Sequence, residues 1–290
     1  MNDPQIAWLP DGRRLHMNHG PIDLIVEAWG PADECRAAYR QAVARFKTVL
    51  GELVDELPEL RRPSRKDPRR FASATAWRME TAACRFADGF VFVTPMAAVA
   101  GAVADEVLAA MTKGRVLERA YVNDGGDIAI HLSQGESLRL AIGGTGDGFG
   151  DRISVDAQDP VRGIATSGWR GRSHSLGIAD AVTVLARDGA IADVAATLIA
   201  NAVDLPGHPS VIRSPASELA PDSDLGDRPV TTAVGPLTDS EITAALAAGA
   251  ALADTFQARG LIQGALLSLS GVVRGLGPQL LSHMKDTAHA

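Results

Sequence analysis

The sequence predicts an α+β fold, with antiparallel β-sheets flanked by helices. Three observations carry that expectation. Short apolar runs bounded by glycine, proline and asparagine or aspartate follow one another in hairpin-like succession, as in Arg119–Asn123, the turn Asp124-Gly125-Gly126-Asp127, and Ile128–Leu132. Helical periodicity interrupts them at intervals instead of alternating with every strand, so regular βαβ winding is not expected. The chain of 290 residues is 46% hydrophobic and 22% charged, enough to bury a sizeable core and incompatible with disorder throughout.

Taken in order, Ile22–Trp29 reads as a strand because Gly20-Pro21 and Gly30-Pro31 bracket a β-rich run. A long amphipathic helix follows, with Cys35, Tyr39, Ala42, Val43, Phe46, Val49, Leu50 and Leu53 on one face, ended by Pro58 and Pro63. The one dense basic run, Arg61 to Arg70, contains two prolines and reads as a loop. Thr94-Pro95 pairs a hydroxyl N-cap with proline at the first helical position, and opens a helix from Met96 to about Met111 that Gly114 closes.

Further strands are expected at Ser137–Ile142, Ile153–Val155, Arg162–Thr166 and Ala181–Ala186. A second alanine-rich helix covers 191–203, and Thr238-Asp239-Ser240-Glu241 carries capping-box chemistry for a third. Residues 205–229, rich in Pro, Ser and Asp, are expected to form a surface excursion, and Gly260 to Gly277 two closing strands or a bent one.

Composition also bounds function. A formal net charge of −7 and a pI near 5.5 argue against broad nucleic-acid binding. The N-terminal residues lack the basic and apolar regions of a signal peptide, and no run of eighteen apolar residues suggests a membrane span. Cys35 and Cys84 stand in no metal-type spacing, so two free thiols in a reducing compartment, the cytoplasm, are expected. With four Trp, two Tyr and seven Phe against 29 Gly, the core relies on close packing of small aliphatic residues, and the alanine-rich helices are of a kind that supports a homodimer.

Four segments hold the candidate chemistry. Asp124-Gly125-Gly126-Asp127 lets a backbone approach a ligand closely, or serves simply as a type I′ hairpin turn. Gly143 to Gly150 lacks the Lys-Ser/Thr pair of a P-loop and no helix follows, so it reads as a mobile loop. Thr166, Ser167, Gly168, Arg170, Arg172 and His174 crowd hydroxyls, guanidiniums and an imidazole into a short stretch suited to phosphate oxygens, or form an exposed loop. Asp193 and Thr197, four apart on a helix, offer a carboxylate and a hydroxyl on one face; such hard oxygens suit Mg²⁺, although an Asp at a helix start also serves as a cap. Asp180 adds a carboxylate just before a strand.

In order, the small-residue helix Ala97 to Asp105, the strand and turn Val122 to Ile128, Ala165-Thr166-Ser167-Gly168 and Ala192-Asp193…Thr197 resemble the ApbE-like superfamily over roughly 90–205. The best-known members of that superfamily are Mg²⁺-dependent transferases that move FMN from FAD onto a protein threonine. The string Ser175 to Val184 resembles its non-exported branch. The resemblance implies one ApbE-like domain over 1–290. It also implies a site for a flavin (FAD or FMN) or other nucleotide at Gly125, Gly126, Thr166, Ser167 and Gly168, which Asp124, Arg170 and Arg172 join by residue type, and Mg²⁺ on Asp193, Thr197 and the backbone of Ala192. By residue type Asp180 and His174 are candidate catalytic groups; by the resemblance a protein acts as acceptor, and Asp105 follows the family glycine matched by Gly101.

Two departures weigh against transfer chemistry. Ala100 stands where the family carries lysine, and the His-Pro-Thr-Gly segment has no counterpart beyond His174 and Ser175. A small-ligand-binding protein, or an enzyme using the same scaffold on another substrate, is the alternative reading.

Overall fold

The computed structural model describes residues 3–87, 91–141 and 152–277. In chain order the strands and helices are β1 (Gln5–Trp8), β2 (Leu15–His19), β3 (Ile22–Trp29), α1 (Ala32–Asp55), α2 (Leu57–Leu60), α3 (Ala74–Cys84), α4 (Val99–Thr112), β4 (Arg119–Asp124) and β5 (Asp127–Leu132). There follow β6 (Ser137–Ala141), β7 (Arg152–Asp156), β8 (Gly163–Ser167), β9 (Ala181–Ala186), α5 (Gly189–Ala202), β10 (Val211–Pro215), α6 (Ala216–Leu219), β11 (Pro229–Val234), α7 (Asp239–Ala258), β12 (Gly264–Leu269) and β13 (Val272–Leu276). Every strand pair with a defined register is antiparallel, so the fold is α+β with antiparallel sheets and flanking helices.

The chain forms two compact units that interleave in sequence. The first comprises Met1–Leu138, Ser154–Ile164 and Arg187–Asp193; the second comprises Arg139–Ile153, Ala165–Ala186 and Val194–Ala290.

In the first unit β1 to β5 form a meander in sequence order, and the start of β8 pairs with β5 through Ile128↔Ile164 and Ala129↔Gly163. Strand alternation decides which face is covered. Leu15, Met17, Leu24, Val26, Ala120 and Val122 are buried at every second position. Helices α1 and α4 lie on these strands and on each other. The α1 stripe is Ala38, Ala42, Phe46, Val49, Leu50 and Leu53, close to the expected face, while Cys35, Tyr39 and Val43 stop half-buried at its margin.

Thr94 caps a 3₁₀ turn, Pro95–Ala98, by accepting the Met96 N–H, and α4 continues from it. Pro95–Thr112 is long and apolar enough to cross a membrane by length and composition, yet half of it is buried inside the structure, as for a core helix. Both cysteines are free.

Helix α3, the edge strand β1 and its neighbour β2 were not expected from the sequence. Ser73 caps α3 by accepting the Ala76 N–H at 3.3 Å. Glu80 on α3 is fully buried and receives the Arg69 guanidinium at 2.9 and 2.8 Å, the Arg69 N–H at 2.9 Å and the Ser64 hydroxyl at 3.2 Å. That cluster pins the basic loop 61–70, which is otherwise loop as expected.

In the second unit β9 and β12 are buried at all six positions each, and β13 completes an antiparallel trio. Helix α7 packs on β12 and β13, and its Gly249 leaves no room for a methyl group, since a Cβ there would sit 2.3 Å from Val203 Cγ2. The capping box at its start forms as expected: Glu241 accepts the Thr238 N–H at 2.7 Å, and the Thr238 hydroxyl accepts the Glu241 N–H. The excursion 205–229 is more ordered than its composition suggested. It contains β10 and α6, and β10 pairs with β11 through a bulge at Ile212/Arg213. The reason lies outside the segment: Arg213 pairs with Asp204 and donates to the Leu176 carbonyl at 2.8 Å.

Candidate functional site

Helices α4 and α5 meet at two glycines in the first unit. A Cβ on Gly101 would lie 2.2 Å from the Gly189 carbonyl oxygen, and one on Gly189 would lie 2.9 Å from the Gly101 carbonyl oxygen. Only hydrogen at these positions lets the backbones approach so closely. This contact places each helix start beside an acid of the other helix. Asp193 Oδ2 accepts the Gly101 N–H at 3.0 Å, while Asp105 Oδ1 and Oδ2 accept the Gly189 and Ala190 N–H groups at 2.9 Å each. Helix-start N–H groups that lack intrahelical partners are satisfied in this way.

Burial of these carboxylates disfavours their charged forms. Burial first, then the Asp124 and Asp105 carboxylates, push Asp193 up to about 7 against the opposing pull of the Gly101 and Ala100 N–H groups. Burial first, then Asp188, pushes Asp105 up to about 6, although the Ala190 and Gly189 N–H groups and Arg78 oppose it. Asp124 is 4% exposed and accepts the Asp23 N–H at 3.3 Å. The first unit therefore gathers Asp105, Asp124 and Asp193 around the α4–α5 contact.

Asp124 also begins the turn. It pairs with Asp127 across Gly125 and Gly126, whose φ values of 63° and 119° are the left-handed conformations such a two-residue turn needs. The Gly126 N–H donates to Asn123 Oδ1 at 2.8 Å, and a Cβ on Gly126 would meet nothing within 4 Å. The turn is a hairpin turn whose backbone lies open to an approaching group.

The remaining residues singled out from the sequence lie in the second unit. The Thr166 and Thr183 hydroxyls hydrogen-bond at 2.8 Å, and Ser167 is half-buried beside them. Gly168 has a structural reason of its own, because a Cβ there would lie 2.4 Å from the Asp180 carbonyl oxygen. Asp180 accepts from Trp169 Nε1 at 3.2 Å, Arg170 Nε at 2.6 Å and the Ser270 N–H at 2.6 Å. These donors occupy the oxygens that a general base would use, and they pair Arg170 with Asp180 over the Trp169 ring. Arg172 and His174 are exposed. Thr197 stands one turn beyond Asp193 on α5, and Ala192 is fully buried. The glycine-rich loop Gly143 to Gly150 lies outside the described residues.

Among the described residues no three His, Cys, Asp or Glu side chains converge as a metal-ligand set. The sequence reading missed Asp188, whose Oδ1 accepts the Ile191 N–H at 2.8 Å at the start of α5. Its signal was legible: an Asp immediately before the first residue of an apolar helix is an N-cap signature.

The family described as AbpE bacteria matches residues 6–275. A UPF0280 protein of Methanothrix thermoacetophila is 40% identical over 119 residues, which cover 40% of this chain and 49% of that protein. A UPF0280 protein of Methanocaldococcus jannaschii is 38% identical over 114 residues, covering 38% and 45% respectively. The chain spans about half the length of the curated relatives it matches. A crystal structure of Pseudomonas stutzeri flavinyl transferase ApbE, apo form, aligns over 97% of each chain at 13% identity with a TM-score of 0.47. Because the family match runs over nearly the whole length, the chain belongs to the AbpE bacteria family, the ApbE-like family that its motifs resemble.

Proposed function

We propose that the protein binds a flavin nucleotide, FAD or FMN, together with Mg²⁺ in the cytoplasm. The observation that carries this reading is Asp193: a buried carboxylate beside a second one, Asp124, whose charged forms oppose each other. A divalent cation would reverse that balance by favouring both ionised forms. The donor set fits Mg²⁺, which takes one or two carboxylates and keeps several waters, and so needs no dedicated cage of three acidic side chains. Asp193, the Thr197 hydroxyl one turn farther along α5 and the Ala192 carbonyl are the groups that would hold it. Bound Mg²⁺ would neutralise charge on a pyrophosphate.

The chain's own residues supply the rest. In the first unit the exposed Gly125 and the Gly126 backbone, where a Cβ would meet nothing within 4 Å, admit a flat or anionic group. In the second unit the reading assigns phosphate contacts to Thr166, Ser167, Gly168, Arg170 and Arg172. Arg170 would exchange its partner Asp180 for the ligand, and the released carboxylate would be the group able to accept a proton, with His174 exposed nearby in sequence. Transfer of FMN from FAD to a protein threonine is the reaction this reading assigns. The alternative, ligand binding without transfer, is favoured by one specific observation: Ala100 replaces the family lysine.

The test incubates the purified protein with FAD and Mg²⁺ and follows both thermal shift and AMP release by chromatography. A Mg²⁺-dependent shift with AMP released in the presence of an acceptor protein supports transfer. A shift without AMP supports the binding alternative, and no shift contradicts the flavin reading altogether.

A further inference from the structure

Two adjoining cavities of about 370 and 320 Å³ open beside the first turn of α5, within the first unit, and share Arg78, Asp105, Arg187 and Asp188. They lie at the far end of β5 from the Gly125-Gly126 turn, since Ile130 and His131 line one of them. The two lobes differ in chemistry. One is walled by Trp77, which is 42% exposed on α3, and holds Arg85 and Thr81, whose Oγ1 is buried without a hydrogen-bond partner. The other holds Arg162 and His131.

Charge favours an anion here. Four guanidiniums, Arg78, Arg85, Arg162 and Arg187, line the lobes against three carboxylates, Asp105, Asp188 and the Glu106 that Arg78 pairs with at 2.9 Å. Both aspartates already serve the start of α5: Asp105 accepts the Gly189 and Ala190 N–H groups, and Asp188 accepts the Ile191 N–H and pairs with Arg187 at 3.3 Å. Arg162 donates to the carbonyls of Ala157, Asp159 and Val161, which orient its guanidinium without cancelling its charge. Guanidinium forks suit phosphate oxygens, and an exposed indole face suits a planar ring.

We propose that this double cavity binds a small phosphate monoester carrying a planar ring, with the ring against Trp77 and the phosphate toward Arg162 and Arg187. Asp193 lines neither lobe, although Asp105, which lines both, faces it across the α4–α5 contact. Its combined size falls in the range of small-ligand pockets.

The test is calorimetry of the full chain, free of FAD and Mg²⁺, with AMP as the probe and with inorganic phosphate and adenosine as its separate halves. The expected result is one AMP per chain, bound more tightly than either half, with indole fluorescence quenched. Arg187→Gln should weaken AMP at least tenfold, Trp77→Phe should abolish the quench, and Asp193→Asn should change neither. Arg85→Gln repeats the affinity test at a second guanidinium should Arg187→Gln prove unstable by circular dichroism. No AMP binding, or unchanged affinity in the folded arginine variant, overturns the proposal. So does AMP binding lost in Asp193→Asn, which would move the ligand to the flavin site. The flavin reading stands or falls separately, on FAD and Mg²⁺.

Discussion

Asp105 and Asp193 each hold the start of the helix that carries the other. Asp105, on α4, accepts the Gly189 and Ala190 N–H groups of α5, and Asp193, on α5, accepts the Gly101 N–H of α4. Between them the backbones touch at Gly101 and Gly189. The arrangement couples the packing of two apolar helices to two acids that burial makes costly to ionise, so fold and candidate metal site share the same atoms.

Gly101→Ala tests the helix contact. The new methyl carbon would lie 2.2 Å from the Gly189 carbonyl oxygen, a backbone atom that cannot rotate away. Overpacking of this kind costs about 1–3 kcal/mol or more. Urea denaturation should show a lower midpoint with an unchanged slope; an unchanged midpoint would mean that the helices separate freely.

The raised acids give the metal-free protein a definite pH dependence. Their folded pKa values, about 7 for Asp193 and about 6 for Asp105, lie above the unfolded carboxylate value of 3.8, so the folded state binds the extra protons. Their effect on stability is therefore favourable at low pH and fades as pH rises from about 4 toward 7, by up to about 1.4 kcal/mol per unit for each group. Stability measured from pH 7 down to 5 should rise in the wild type and rise less in Asp193→Asn. Millimolar Mg²⁺ should flatten the wild-type curve, because a cation favours the ionised forms. Parallel profiles for the two proteins would refute the assignment.

Arg69→Ala should be among the most damaging single changes in the first unit. It leaves the fully buried Glu80 without its bidentate partner. Breaking one side of a buried pair costs about 3–5 kcal/mol. Glu80→Gln in the same background should recover part of the loss in thermal melts, and no recovery would assign the loss to packing alone.

Local chemistry made much of this structure readable in advance. Ile22–Trp29 was delimited by its flanking Gly-Pro pairs and Ala181–Ala186 by a run that is apolar but for Thr183, and both strands occupy those residues. The Thr238–Glu241 capping box needs only residues three apart. Helix α3 was hidden because its acid Glu80 is buried by a pair with the distant Arg69 while its Trp77 is 42% exposed, which blurs any apolar stripe. Strands β1 and β2 are short and β1 is largely exposed, so β1 carries little hydrophobic signal. At the site, the Gly125-Gly126 turn was legible from two glycines between aspartates. The bond from Gly189 to Asp105 was not, since it joins residues 84 apart in sequence.

The central claim, a flavin nucleotide bound with Mg²⁺ through Asp193, is tested most directly by titrating FAD into the wild type and Asp193→Asn with and without Mg²⁺ in the calorimeter. Asparagine keeps an oxygen for the Gly101 N–H while removing the charge. The account predicts FAD binding that Mg²⁺ strengthens in the wild type and leaves unaffected in the variant. No FAD binding by the folded wild type, or an equal Mg²⁺ effect in both proteins, would contradict it.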